Sequence, residues 1–127
     1  MTICVVDDER PIMQLCVKVL ESHGYVVDGY TRGEEALARL TAGPADLLVV
    51  DYKMPGLDGV EVVRRARALR PEIRVVMITG HGTREVIDAA HTAGAHSVLL
   101  KPFTPNELAG AVAAVLGAPS GSSRRAV

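Results

Sequence analysis

Four stretches of the chain are apolar without interruption: Ile3-Cys4-Val5-Val6, Leu47-Leu48-Val49-Val50, Val75-Val76-Met77-Ile78 and Val98-Leu99-Leu100. Each is too short for a helix and shows no alternation, which is the pattern of a strand covered on both faces of a parallel sheet. A fifth stretch, Tyr25 to Tyr30, carries Asp28 and Gly29 and reads as an edge strand. Between these runs apolar residues recur at helical spacing, predicting helices over residues 11–23, 33–41, 59–69, 83–93 and 105–116. In the third, Val60, Val63, Ala66 and Leu69 share a face that Arg64, Arg65 and Arg67 avoid. In the fifth, Leu108, Ala111, Val112, Val115 and Leu116 form the stripe. Thr31 with Glu34, Asp58 with Glu61 and Thr104 with Glu107 have the spacing of capping boxes, and Pro105 suits a first helical position. Gly24, Gly43, Gly94 and Gly117 follow helical stretches, where a left-handed closing residue is wanted.

Five strands alternating with five helices predict a doubly wound (βα)5 α/β domain, a parallel sheet between two helical layers. Right-handed crossovers leave few arrangements, and the order 2-1-3-4-5 keeps the least apolar strand at an edge. Residues 118–127, rich in Pro, Ser, Gly and Arg, read as a flexible tail or the start of a linker after a domain spanning 1–117.

Composition narrows the class. The 127 residues include 14 basic and 15 acidic side chains, 48% hydrophobic residues and 23% charged ones, the balance of a globular domain with its own core. A formal charge of -1 argues against a chain built to coat nucleic acid or anionic lipid. No apolar run approaches the roughly 20 residues that span a bilayer. The first residues lack the basic flank and cleavage site of a secretory signal, which points to the cytoplasm. Cys4 and Cys16 sit in apolar surroundings and read as reduced core residues.

The informative polar residues stand where the strands end. The first run stops at Asp7-Asp8-Glu9, the second at Asp51, the third at Thr79 and the fourth at Lys101. Ligands of open parallel sheets bind outside the carboxyl ends, where the strand order reverses, here between strands 1 and 3. That point gathers Asp7, Asp8 and Asp51, with Thr79 and Lys101 beyond. Two carboxylates about 4 Å apart repel by roughly 4 kcal/mol at an effective dielectric near 20, so the group requires a proton or a cation. Oxygen ligands select a hard ion, and Mg²⁺ fits, with Mn²⁺ as an alternative. His23, His81, His91 and His96 lack the paired spacing of a zinc site. A cation, a spare carboxylate, a hydroxyl and an ammonium are what phosphoryl handling needs, with Asp51 as the nucleophile.

Taken together, Val5-Val6-Asp7-Asp8-Glu9, Asp51-Tyr52-Lys53-Met54-Pro55-Gly56-Leu57-Asp58-Gly59, Ile78-Thr79-Gly80, Gly94-Ala95 and Lys101-Pro102-Phe103 make the chain resemble the receiver, or phosphoacceptor, domain of two-component response regulators. The resemblance implies a flavodoxin-like, three-layer αβα fold and makes Asp51 the phosphorylated residue. It makes Asp7 and Asp8 the acidic pair for the metal, completed by Asp51 and the backbone carbonyl of Lys53. It makes Thr79 and Lys101 the ligands of the phosphoryl oxygens, and implies a cis peptide at Lys101-Pro102. The implied donor is a phosphohistidine on a sensor histidine kinase or histidine phosphotransfer protein. The receiver itself would catalyse the transfer and a slower self-dephosphorylation. The output partner is unnamed, with no direct contact to nucleic acid or membrane, and the implied state is a monomer or a phosphorylation-dependent dimer. His81 and Lys53 would flank the acceptor and affect the approach of water.

Three alternatives stand beside this reading. The chain can be the receiver piece of a larger response regulator or hybrid histidine kinase. An aspartate-nucleophile phosphatase usually has a second acid two residues after the nucleophile, where Lys53 stands, and often a cap insertion. A nucleotide-binding fold wants a glycine-rich loop where Asp7-Asp8-Glu9-Arg10-Pro11 stands. The chain also departs from the family at Val98, three residues before the lysine, where many receivers place Tyr or Phe. A stiff valine has no ring to swing. The expectation is that Thr79 signals instead through Gly80-His81-Gly82 and the fourth helix.

Overall fold

The computed structural model describes residues 1–117; the segment 118–127, read above as a tail or linker, lies outside the described residues. The elements run β1 (Thr2–Val6), α1 (Arg10–Ser22), β2 (Val26–Tyr30), α2 (Gly33–Ala42), β3 (Leu47–Asp51), α3 (Gly59–Leu69), β4 (Arg74–Thr79), α4 (Arg84–Ala93), β5 (Ser97–Leu100) and α5 (Pro105–Gly117). The strands form one parallel sheet in the order β2-β1-β3-β4-β5, as expected. Val6 lies beside Val50, so the residues that follow the two strands, Asp7 and Asp51, emerge together.

Alternation along the apolar runs sorts their side chains between two cores. Cys4, Val6, Leu48, Val50, Val75 and Met77 pack with α2, α3 and α4. Ile3, Val5, Leu47, Val49, Val76 and Ile78 pack with α1 and α5. The apolar runs inside β1, β3 and β4 are therefore unbroken because both faces are covered. Cys4 and Cys16 lie in different cores, on opposite sides of the sheet. Burial pushes each thiol up to about 12, keeping it an uncharged core group.

The structure corrects several expectations. β5 is covered less completely than the inner strands: Val98 packs on one core and Leu99 on the other, but both are only partly buried, and Leu100 is 47% exposed. Its run is apolar, but it has a neighbour on only one side. Gly29 lies in β2 because α1 presses on it; a Cβ there would sit 2.5 Å from Met13 Sδ. Asp28 is tied to Arg39 at 2.9 Å. On α3 the inward face is Gly59, Val62, Val63 and Ala66, whereas Leu69 is 41% exposed at the last turn. Gly43 is extended and Gly117 is still helical, so of the four proposed closing glycines only Gly24 and Gly94 have positive φ.

The caps differ as well. Thr104 and Glu107 form a complete box: the Glu107 amide donates to Thr104 Oγ1 at 3.1 Å, and the Thr104 amide donates to Glu107 Oε1 at 2.8 Å. Asp58 accepts from the Glu61 amide at 2.9 Å, but the Glu61 carboxylate turns to Arg64 and Arg65 instead of reaching back. Thr31 caps nothing; Arg32 occupies the position before α2, with no side-chain cap bond. The basic stripe of α3 is thus partly neutralised by Glu61, while Arg67 and Arg70 donate to the Ile73 and Leu40 carbonyls.

Because the two threonines have the same spacing to a glutamate but different bonds, Thr104→Ala should cost about 1 kcal/mol. Thr31→Ala should cost no more than a few tenths of that. Urea unfolding of both variants checks this, and equal losses would contradict the cap assignment.

Candidate functional site

The carboxyl ends of β1 and β3 place three acids together. Carboxylate oxygens of Asp7, Asp8 and Asp51 lie within 4.8 Å of one another. Asp7 is held at both ends: its backbone amide donates to the Tyr30 carbonyl at 3.1 Å, and its Oδ1 accepts from the Glu9 amide at 2.9 Å. Asp51 is the last residue of β3, and the Tyr52 amide after it donates to the Ile78 carbonyl at 2.7 Å. Asp7 and Asp51 are buried, 1% and 5% exposed.

Gly59 supports Asp51 from behind. Its amide donates to the Tyr52 carbonyl at 2.9 Å, and a Cβ at this residue would strike the Asp51 carbonyl oxygen and lie 2.9 Å from Tyr52 Cα. Backbone atoms cannot step aside, so the first turn of α3 reaches the end of β3 only through a glycine. The Lys101-Pro102 peptide is cis. Lys101 continues from β5, its amide donating to the Thr79 carbonyl at 2.8 Å. Its ammonium lies 2.8 Å from Glu9 Oε1 and 3.4 Å from both Asp7 Oδ2 and Asp51 Oδ1.

Thr79 ends β4 on the same edge, 1% exposed. Its hydroxyl accepts from the His81 amide at 3.0 Å and donates to the His81 carbonyl at 3.4 Å. The sequence-derived set therefore divides. Asp7, Asp8, Asp51 and Lys101 form one electrostatic cluster. Thr79 stands beside it, engaged with the loop that follows. Lys53 lies two residues beyond Asp51 and lines a groove of about 490 Å³ with Tyr52, Met54, His81 and Val86. A second groove of similar size, at the opposite edge of the sheet between Met1, Asp46 and Leu116, contains none of these residues. His23, His91 and His96 stand away from the cluster and serve the backbone: Nδ1 of His23 and of His91 meets the Val19 and Ala95 carbonyls, and His96 Nδ1 accepts from the Val75 amide.

Electrostatics follows from this crowding. Burial, and then the Asp7 carboxylate, push the Asp51 carboxyl up to about 7, against the opposing pull of Lys101. Burial also raises Asp7, opposed by the Glu9 amide and Lys101. Burial works against the Lys101 charge, but Glu9, Asp51 and Asp7 outweigh it and hold the ammonium above its ordinary range. Lys101 in turn holds the Glu9 carboxyl below its usual range. Among the described residues, Asp7 Oδ2 is the buried side-chain polar atom with no hydrogen-bond partner. An orphaned carboxylate oxygen, inside a set of oxygen donors with excess negative charge, fits a hard divalent cation.

Two residues of the site escaped the sequence reading. Glu9, the nearest partner of Lys101, was visible only as the third acid of Asp7-Asp8-Glu9. Gly59 was visible only as the glycine after a capping aspartate.

Residues 3–113 match the model of the response regulator receiver domain. The chain belongs to this family. It is 34% identical over 110 residues to sporulation initiation phosphotransferase F of Bacillus subtilis, covering 87% of this chain and 89% of that protein. It is 38% identical over 117 residues to the phosphate regulon transcriptional regulatory protein PhoB of Rhizobium meliloti, covering 90% of this chain but 51% of that one. This receiver spans only 23% of another relative, the C4-dicarboxylate transport regulator DctD of the same organism. Among solved structures it is similar to a CheY-like receiver domain protein from Methanospirillum hungatei, with a TM-score of 0.85 and 30% identity over 91% of this chain and 92% of that one. It is equally close in shape to CheY4 of Vibrio cholerae, with a TM-score of 0.85 and 29% identity over 90% and 97% of the two chains. No helix among the described residues is long and apolar enough to cross a membrane.

The raised Asp51 carboxyl has a consequence for stability. A carboxyl whose folded pKa lies near 7 binds its proton more tightly folded than unfolded. Its contribution is fully present below the ordinary carboxylate range and is lost as pH rises through about 7. In chelator, Asp51→Asn should therefore be more stable than the parent at pH 8, by about 2 kcal/mol after part of the gain is offset by the lost Lys101 contact. The difference should shrink toward pH 4. Denaturant melts at the two pH values measure it, and a variant less stable than the parent at pH 8 would contradict the charge crowding.

Proposed function

We propose that this receiver accepts a phosphoryl group from a phosphohistidine of a sensor kinase or phosphotransfer protein onto Asp51, and switches a partner-binding face as a result. One observation carries the reading: a buried, crowded carboxylate at the end of β3 with an ammonium 3.4 Å away and two further acids beside it. An oxygen of Asp51 attacks phosphorus, the phosphorus–nitrogen bond of the donor breaks, and its electron pair returns to the imidazole. Asp7, Asp8, Asp51 and the Lys53 carbonyl would hold Mg²⁺, or Mn²⁺ in its place, which neutralises charge on the phosphoryl oxygens. Lys101 takes one phosphoryl oxygen, and Thr79 donates its hydroxyl to another after leaving His81. Water later attacks the phosphorus, the bond between phosphorus and the Asp51 oxygen breaks, and inorganic phosphate leaves with the carboxylate restored.

The switch follows from what Thr79 releases. In the resting chain its hydroxyl fixes His81 through two contacts, and Gly82 lies against the Leu100 side chain, where a Cβ would sit 3.1 Å from Cδ2. Val98 is half-buried against the core beneath α4 and offers no ring to relay the movement. Withdrawal of the hydroxyl thus frees the loop before α4 directly. Relatives of two plans match, one about as long as this chain and others two to four times longer. The acceptor chemistry serves either a separate partner or a further domain.

Incubation with acetyl phosphate and Mg²⁺ should add one phosphoryl mass to the parent chain and little or none to Asp51→Asn. Chelation should abolish the gain, and equal labelling of both proteins would overturn the assignment. Amide spectra with and without beryllofluoride should differ most over residues 80–93; an unmoved segment there would refute the proposed route.

A further inference from the structure

The nearest partner of the Lys101 ammonium is neither of the buried acids but Glu9, 2.8 Å away and 59% exposed. Asp7 Oδ2 and Asp51 Oδ1 stand equally far on the other side, at 3.4 Å. Three carboxylates compete for one cation, and the outermost holds it most closely. We propose that Glu9 is a positioning residue that keeps the Lys101 ammonium at the mouth of the acidic pocket, off the oxygens a divalent cation needs, until a phosphoryl oxygen claims it. The proposal rests on the phosphoacceptor reading above.

The geometry separates two roles within Glu9. Its backbone amide orients Asp7 through the 2.9 Å bond to Oδ1, and a side-chain substitution leaves that amide in place. Only its carboxylate meets Lys101. Without that carboxylate, the ammonium is left with Asp7 Oδ2, which lacks a hydrogen-bond partner, and Asp51 Oδ1. Lys101 rises from the far edge of the sheet on a flexible stem, so a sub-ångström move inward is easily made. An ammonium settled on those oxygens occupies the donors of the metal set and repels a divalent ion. Glu9 thereby favours cation entry by displacing a competing charge, without being a metal ligand itself.

A cycle of variants read by metal binding tests this. Mg²⁺ titrations of the full chain, followed by amide chemical shifts, are compared for the parent, Glu9→Gln, Lys101→Met and the double variant. Glu9→Gln should weaken Mg²⁺ binding by about threefold or more, while the same substitution in the Lys101→Met background should change it by less than about 1.5-fold. Glu9→Asp, which keeps the charge, should recover part of the affinity. A loss of equal size in both backgrounds would show Glu9 acting as a bare surface charge, and no loss in either would also overturn the proposal. Failure of the parent to bind Mg²⁺ would instead overturn the reading of the site on which this one stands.

Discussion

Three carboxylates meet where the sheet reverses its strand order, and the rest of the site is arranged around their mutual repulsion. Asp7 and Asp51 are buried, so water cannot screen them; burial raises the proton affinity of both, and the Asp7 carboxylate raises that of Asp51 further. The fold imposes this arrangement. Both backbones are fixed by the sheet, Asp7 through Tyr30 and the residue after Asp51 through Ile78. Gly59 then removes any room for the end of β3 to move back. Such a group is unstable when empty of positive charge and stable when filled, which is what a ligand-operated switch requires.

Positive charge reaches the pocket from two directions. Lys101 arrives from the far edge of the sheet and stands between the buried acids and Glu9. The remaining deficit, marked by Asp7 Oδ2, which has the 3.4 Å ion pair with Lys101 but no hydrogen bond, fits a divalent ion. Thr79 adds no charge. Its hydroxyl holds the His81 loop; in the proposed switch, its withdrawal would carry a local change at Asp51 to the start of α4.

Much of this was legible in the residues. The uninterrupted apolar runs specified strands covered on both faces, and the polar residue closing each run specified the edge where chemistry collects. The failures have physical causes. Val98-Leu99-Leu100 is as apolar as the inner strands, but an unbroken run does not report how completely the flanking helices cover it, and Leu100 is left 47% exposed. Thr31 has a glutamate three residues on, yet a cap depends on where the chain turns, and the turn falls at Arg32. The Glu9–Lys101 pair spans 92 residues, and no local periodicity reports a contact between the two edges of a site.

The central claim is that the acid cluster destabilises the chain until a divalent cation fills it. Its most direct test is the melting temperature of the full chain at pH 8, recorded in chelator and then with increasing Mg²⁺. A saturable rise of roughly 5 °C or more is expected, and it should be lost in Asp7→Ala. A melting temperature indifferent to Mg²⁺, or an equal rise in Asp7→Ala, would contradict it.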